Sequence, residues 1–163
     1  MKIETVPIGI LIPWPGNPRK HGELDVAQIA DSIKFYGWTS PILAQRGTNR
    51  IVAGHGRLEA AKVAGLKEIP VIYLDLTDQQ ATAYTVADNK LAELSRWDFP
   101  ALKDILVGLD DGEFDLMKTG FNEDELKKLI DWEKNTFTVD ENQPRLDEKS
   151  KIKCPECGHE FTT

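Results

Sequence analysis

Cysteine is almost absent from this chain, because its 163 residues include only Cys154 and Cys157, both near the C-terminus. A scaffold held together by several disulfides is therefore excluded for the rest of the sequence. No apolar run is long enough to cross a bilayer, and the proline-containing first 15 residues do not resemble a signal peptide. We therefore expect a cytoplasmic protein without a membrane partner.

Positive charge is also in short supply, since the formal net charge is -7. Its distribution is uneven: residues 1–96 hold 11 Lys and Arg against 10 Asp and Glu, while residues 97–163 hold 9 against 17. The two parts thus carry +1 and -8, and neither has the basic stripe of a general DNA-binding protein. Hydrophobic residues make up 40% of the chain and include four Trp, enough for a packed core.

The most informative stretch is 51–75, which predicts a strand, a turn at Gly54-His55-Gly56, a helix from Arg57 to Val63 and a second strand, Ile69 to Leu74. Glycine allows a positive φ or a close approach to a ligand, and the first N–H groups of a helix favour an anion. The Arg57 guanidinium could bind a phosphate or carboxylate from the first helical turn.

Spacing alone leaves a second interpretation open, because one G-x-G before a helix is also a common way to turn a corner. The third glycine of the dinucleotide-binding motif and the lysine of the P-loop are both missing. Taken alone, His55 is equally well explained as a turn residue.

Three ordered segments resemble the ParB/sulfiredoxin superfamily. They are Asn17-Pro18-Arg19-Lys20 with the following helix, the stretch from Ile51 to Ile72, and Ala87-Asp88-Asn89-Lys90-Leu91. The resemblance covers about residues 5–95 and is nearest to ParB-like domains of phage and mobile-element proteins, often found beside DNA methyltransferases. It implies an α/β (α+β) domain over residues 1–96, with a mixed sheet and packed helices, in a bacterial or phage-infected host cell.

The resemblance also implies a site for a nucleoside triphosphate with Mg²⁺. The expected phosphate-binding residues are Arg19, Thr39, Ser40, Gly54, His55, Gly56 and Arg57. Asp88 or Asn89 would hold Mg²⁺, which usually binds one or two protein oxygens together with substrate phosphates. His55 and Glu59 are the candidates for orienting a nucleophile.

The chain also departs from the family pattern at this turn. Partition proteins have Glu-Arg-Arg after the glycine, whereas this chain has His55-Gly56-Arg57 and keeps one arginine. Sulfiredoxins need a cysteine directly after the glycine, and here that residue is His55. We therefore expect no sulfinic acid reduction.

The remaining elements of the first domain follow from local patterns. We expect a short strand within Ile3 to Ile12, with Pro7 at an edge, and a helix from Leu24 to Tyr36 that ends in a left-handed Gly37. A hairpin should join strands 42–45 and 50–53. Thr77 and Gln80 form a capping box for a helix from Asp78 to about Leu94.

Residues 97–134 are predicted to form a helical extension. Its helices run from Ala101 to Leu109 after the N-cap Asp98, and from Glu123 to Trp132 after Asn122. They are acidic and show no convincing helix-turn-helix, so we expect DNA contact to be indirect or to use a partner protein. Residues 135–150 lack periodicity and predict a linker.

The C-terminal segment 151–163 resembles half of a zinc ribbon. Cys154, Cys157 and His159 are candidate Zn²⁺ ligands, but a structural zinc site needs four. A second chain in a homodimer, or a partner protein, could complete the set. A metal-free tail is the alternative.

Three functions are compatible with these patterns. The first is a ParB-like nucleotide- or phosphate-binding module of a DNA-associated phage or mobile-element protein, with Mg²⁺-dependent NTPase or phosphotransferase activity as its enzymatic form. The second is a metal-dependent DNA nuclease, although Asp88, Glu59 and Glu23 form no recognisable carboxylate motif. The third is a non-enzymatic adaptor that recruits a DNA-modifying or DNA-packaging partner.

Overall fold

The computed structural model describes residues 2–130, the backbone of 151–153 and 160–162, and Cys157. Two compact units divide the chain, at residues 1–129 and 130–163. The first unit contains a four-stranded mixed sheet and packed helices, as the sequence predicts. Its elements are β1 (Ile3–Pro7), α1 (Glu23–Tyr36), β2 (Ile42–Gln45), β3 (Ile51–Ala53), α2 (His55–Val63), β4 (Glu68–Leu74), α3 (Asp78–Leu91), α4 (Phe99–Leu109) and α5 (Glu123–Ile130).

The strand order of the sheet is β1-β4-β2-β3. β1 is antiparallel to β4, with Ile3 opposite Ile72, and β2 runs parallel to β4, with Ile42 opposite Val71. β3 returns antiparallel to β2, so α2 is part of the connection from β3 to β4. Pro7 lies on the edge strand β1, where its missing N–H costs no central ladder bond.

The core lies between this sheet and α2. Ile69 and Val71 alternate along β4 and are buried, as expected for a strand that packs one face against helices. Leu58 and Ala61 provide the buried face of α2. The full core cluster comprises Val6, Leu11, Ile42, Ala44, Ile51, Leu58, Ala61, Ile69 and Val71.

The N-terminal strand is shorter than its apolar pattern indicates. β1 ends at Pro7, a 3₁₀ turn covers Ile8–Ile10, and Ile12 forms a single bridge with Arg50 beside β3. In that bridge the Ile12 N–H donates to Asn49 O at 2.9 Å, and the Ile51 N–H donates to Ile12 O at 2.9 Å.

Helix starts are predicted better than helix turns. Thr77 with Gln80, Asp98, and Asn122 with Glu125 all make the expected capping hydrogen bonds. Gly37 has the expected positive φ of 77°, but its ψ of -172° is extended, so it is not a left-handed helical cap.

The third helix of the first domain, α3, ends at Leu91, three residues before the predicted Leu94. Downstream, α4 begins two residues before the predicted Ala101, and a 3₁₀ turn, Leu116–Thr119, precedes α5. The predicted continuation of α5 to Trp132 lies outside the described residues. Leu102, Leu106 and Leu126 form a second core cluster between these helices.

In the unit 130–163, β5 (Lys151–Lys153) pairs antiparallel with β6 (Glu160–Thr162). The predicted linker 135–150 lies outside the described residues. Among the helices of the described part of the chain, none combines the length and apolar character needed to cross a membrane.

Candidate functional site

A cleft of about 210 Å³ lies where β3 leads into α2. It brings together the three segments on which the family resemblance rests, although they are separated by more than 60 residues of sequence. Its lining residues are Asn17, Arg19, His21, Ile29, Val52, Ala53, Gly54, His55, Gly56, Arg57, Asp88, Asn89 and Ala92.

One glycine makes the turn at the floor of the cleft. Gly54 has φ 99° and ψ 27°, the left-handed region, and α2 begins directly after it at His55. The prediction of a three-residue turn was therefore wrong, because Gly56 is already helical. A Cβ on Gly54 would also lie 3.2 Å from Ile42 Cγ1. The first N–H groups of α2 have no acceptor within the helix and lie at the cleft, where an anion is favoured.

Arg57 lies half-buried in the first turn of α2 and holds the preceding strand. Its Nη1 donates to Ser40 O and Pro41 O, each at 2.7 Å. Burial lowers the pKa of Arg57 from its ordinary value, and the neighbouring Asp88 carboxylate opposes that shift. The guanidinium stays charged, so Arg57 adds positive charge to the cleft and fixes the start of β2.

The loop before α1 lies over the N-terminus of α2. The Trp14 N–H donates to His55 Nε2 at 3.2 Å, which makes this imidazole nitrogen an acceptor. Burial is the main cause that lowers the pKa of His55, followed by the positive surroundings of His21 and Lys20, while Glu59 opposes the shift. His55 is therefore a neutral imidazole near pH 7, with its proton on Nδ1.

Asp88 and Asn89, on α3, both line the cleft. Asn89 Nδ2 donates to Asn17 Oδ1 at 3.4 Å, which leaves the carbonyl oxygen of its amide available to a cation. Arg19 Nη1 donates to Asn89 O at 3.3 Å. One carboxylate and one amide oxygen suit a Mg²⁺ that takes its other ligands from phosphates and water.

Three candidate residues lie elsewhere. Thr39 and Ser40 line a neighbouring pocket that shares Ile29 and Arg57 with the cleft. Glu59 is exposed and pairs with Lys62 at 2.9 Å, and it is not among the residues that line the cleft. Its remaining link to the site is its electrostatic effect on His55.

The structure also adds residues that the sequence did not single out as site residues: Trp14, Asn17 and His21. Asn17 is only 7% exposed, and its Oδ1 accepts hydrogen bonds from the Arg19 N–H and Asn89 Nδ2. The Pro-rich segment predicted an ordered loop, but nothing in its pattern indicates that it reaches α2 and α3.

The zinc prediction cannot be compared with these contacts, since Cys154 and His159 lie outside the described residues. Cys157 is exposed and unpaired. Within the part of the chain that the structure describes, no three His, Cys, Asp or Glu side chains are grouped to hold a metal. The zinc site stays a prediction.

The mixed sheet, the left-handed glycine before α2 and the cleft at their junction define a domain of the ParB/sulfiredoxin type. The ParB N-terminal domain model matches residues 1–90, and the ParB-methyltransferase HTH domain model matches residues 100–155. The chain therefore belongs to the ParB family. The second match overturns the expectation that no helix-turn-helix is present, which acidic composition had suggested.

Two relatives differ in how much of their length the chain spans. The ParB-like nuclease domain-containing protein YnaK of Escherichia coli K12 is 43% identical over 81 residues, which are 49% of this chain and 92% of YnaK. The chromosome-partitioning protein Spo0J of Thermus thermophilus is 36% identical over 90 residues, 53% of this chain but 34% of Spo0J. The chain thus spans about a third of that partition protein.

A solved structure confirms the fold. The C-terminally truncated chromosome-partitioning protein ParB of Caulobacter crescentus, complexed with CTP-γ-S, matches with a TM-score of 0.67. The match covers 80% of this chain and 77% of that one at 24% identity. An origin in a phage or mobile element stays a prediction.

Proposed function

We propose that this chain is a nucleotide-binding module of a DNA-associated protein and that its cleft binds cytidine triphosphate together with Mg²⁺. The observation that carries the proposal is the convergence of three distant segments on one cleft: Arg19, the start of α2, and Asp88 with Asn89. The choice of CTP is supported by the CTP-γ-S bound to the structurally similar Caulobacter ParB.

Each part of the cleft has a separate role in this proposal. The N–H groups at the start of α2 bind phosphate oxygens, and Arg19 and Arg57 neutralise their charge. Asp88 and the Asn89 carbonyl oxygen hold Mg²⁺, which bridges the phosphates. If the chain also hydrolyses the nucleotide, catalysis relies on this positioning and on charge neutralisation.

The test is calorimetric titration with CTP, ATP, GTP and CDP, each with and without Mg²⁺. Arg19→Ala removes an exposed cation whose described contacts are one side-chain and one backbone hydrogen bond, so we expect it to fold normally and bind CTP about tenfold more weakly. Arg46→Ala is the matched control, since Arg46 follows β2 at the end of that strand away from Arg57. Absence of binding to every nucleotide at millimolar concentration would contradict the proposal.

Arg57→Ala is a less selective test than the sequence indicated. The sequence predicts loss of triphosphate binding with an intact fold, but Arg57 also holds Ser40 O and Pro41 O. We therefore expect this variant to lose both nucleotide affinity and thermal stability, and its melting temperature must accompany any titration.

Metal-dependent DNA cleavage, the second hypothesis, receives less support from the geometry. Asp88 is the only carboxylate that lines the cleft, whereas two-metal cleavage requires several converging carboxylates. Incubation of supercoiled plasmid with the protein and Mg²⁺ or Mn²⁺ should leave the plasmid intact, and Asp88→Asn should change nothing in that assay.

The DNA association is proposed to run through residues 100–155, because they match a helix-turn-helix model. Selection from a pool of random DNA duplexes, with and without CTP, tests this directly. Enrichment of one sequence would support direct recognition, and enrichment of none would favour the adaptor hypothesis, in which a partner protein contacts DNA.

A further inference from the structure

His21 lies against the first turn of α2 and lines the candidate phosphate cleft. A Cβ on Gly56 would lie 3.0 Å from each of three ring atoms of His21: Cδ2, Cε1 and Nε2. Contacts this short leave no space for a side chain on residue 56. The missing side chain of Gly56 is therefore what allows the imidazole to reach the helix.

The imidazole has capacity to spare in this position. Neither of its ring nitrogens has a hydrogen-bond partner among the described residues, although an imidazole can donate and accept. Its neighbours on the cleft include Arg19, on the same loop, and Arg57, on the same helical turn as Gly56. An anion at the start of α2 would thus be within a ring of basic groups drawn from two elements.

We propose that His21 is a polyphosphate-binding residue, supplied by the loop before α1 and seated on Gly56, which adds a donor that α2 itself lacks. This inference rests on the proposed nucleotide-binding function. It differs from that proposal in assigning a ligand contact to a residue outside the helix, and in giving Gly56 a steric rather than a conformational role.

Gly56 offers an unusual test because its two possible roles have opposite consequences. It lies inside α2 without a positive φ, so Gly56→Ala suits the helix backbone. The added methyl group would nevertheless displace the exposed His21 ring. We expect Gly56→Ala and His21→Ala to weaken the binding of inorganic triphosphate and of CTP by about tenfold each, with the fold retained.

The double variant His21→Ala/Gly56→Ala should bind no more weakly than either single variant, because both substitutions remove the same contact. Gly108→Ala is the matched control: Gly108 is a helical glycine of α4, and a Cβ there would have no neighbour within 4 Å. It should leave both affinities unchanged.

Nuclear magnetic resonance gives a readout that a purely structural role would not move. The chain has three histidines, so the imidazole C–H signals are few and are assigned with the His21→Ala variant. Addition of inorganic triphosphate should shift the His21 signals of the wild-type protein.

Other outcomes separate this inference from the function on which it rests. If Arg19→Ala weakens binding and His21→Ala does not, nucleotide binding stands and the role of His21 is overturned. A loss for CTP without a loss for triphosphate would place the contact on the nucleoside and also overturn it. Additive losses in the double variant would overturn the seat on Gly56. A wild-type protein that binds neither probe would instead refute the proposed function.

Discussion

At the scale of single residues, His55 couples the loop before α1 to the protonation state of the cleft. Its Nε2 accepts the Trp14 N–H, and an imidazolium could not accept that bond. Acidification should therefore weaken the attachment of this loop to α2.

The lowered pKa of His55 sets the sign of a pH effect on stability. In the unfolded chain the imidazole takes up a proton below about pH 6.5, whereas the folded chain resists protonation to a lower pH. The stabilisation is thus complete above about pH 6.5 and is lost as the pH falls from there through the folded pKa.

Urea denaturation between pH 5 and 8 measures this effect. We expect the free energy of unfolding of the wild-type protein to fall more steeply below about pH 6.5 than that of His55→Gln, which keeps polar atoms but does not titrate. Equal slopes for the two proteins would show that another group controls the acid response.

At the scale of elements, the left-handed Gly54 determines where α2 begins and how closely it approaches β2. Gly54→Ala forces a side chain into a φ of 99° and brings a Cβ to 3.2 Å from Ile42 Cγ1. We expect a loss of stability of about 1–2 kcal/mol from the backbone conformation alone. Thermal denaturation provides the measurement, with Gly108→Ala as the control that should not lose stability.

Local signals explain which elements could be predicted. The pairs Thr77–Gln80 and Asn122–Glu125 lie three residues apart and form their hydrogen bonds within one turn, so the sequence contains everything that the cap requires. The start of α2 was misplaced because both glycines of Gly54-His55-Gly56 fit a turn, and only tertiary packing shows that Gly56 is helical.

The cleft was predictable to the extent that the family resemblance marks its walls. Arg19, Arg57, Asp88 and Asn89 were all identified from motifs and all line it. The contributions of Asn17 and His21 depend on contacts across more than 30 residues of sequence, which no local pattern encodes. Strand order has the same origin, since β1 pairs with β4 at the far end of the domain.

At the scale of the whole molecule, the nucleotide cleft and the helix-turn-helix region have separate cores. The cluster around Ile42 and Leu58 shares no residue with the cluster of Leu102, Leu106 and Leu126. Damage to the second cluster should therefore leave the first largely intact.

Leu106→Ala tests this separation, because Leu106 is 1% exposed. We expect the helical region to lose about 2–5 kcal/mol while CTP affinity changes by less than about twofold. Circular dichroism melts and calorimetric titration on the same sample measure both. A parallel loss of CTP binding would show that the two regions act as one cooperative unit.

The bridge between Ile12 and Arg50 has a further consequence for the molecule in solution. An exposed β-strand edge is a template on which another chain can assemble, and many proteins protect such edges against aggregation. Here Ile12 occupies the outer side of β3 through hydrogen bonds to Asn49 and Ile51, so the chain shields its own edge with one residue. That residue leads directly into the loop held by His55, and conditions that detach the loop would also expose the sheet to self-association.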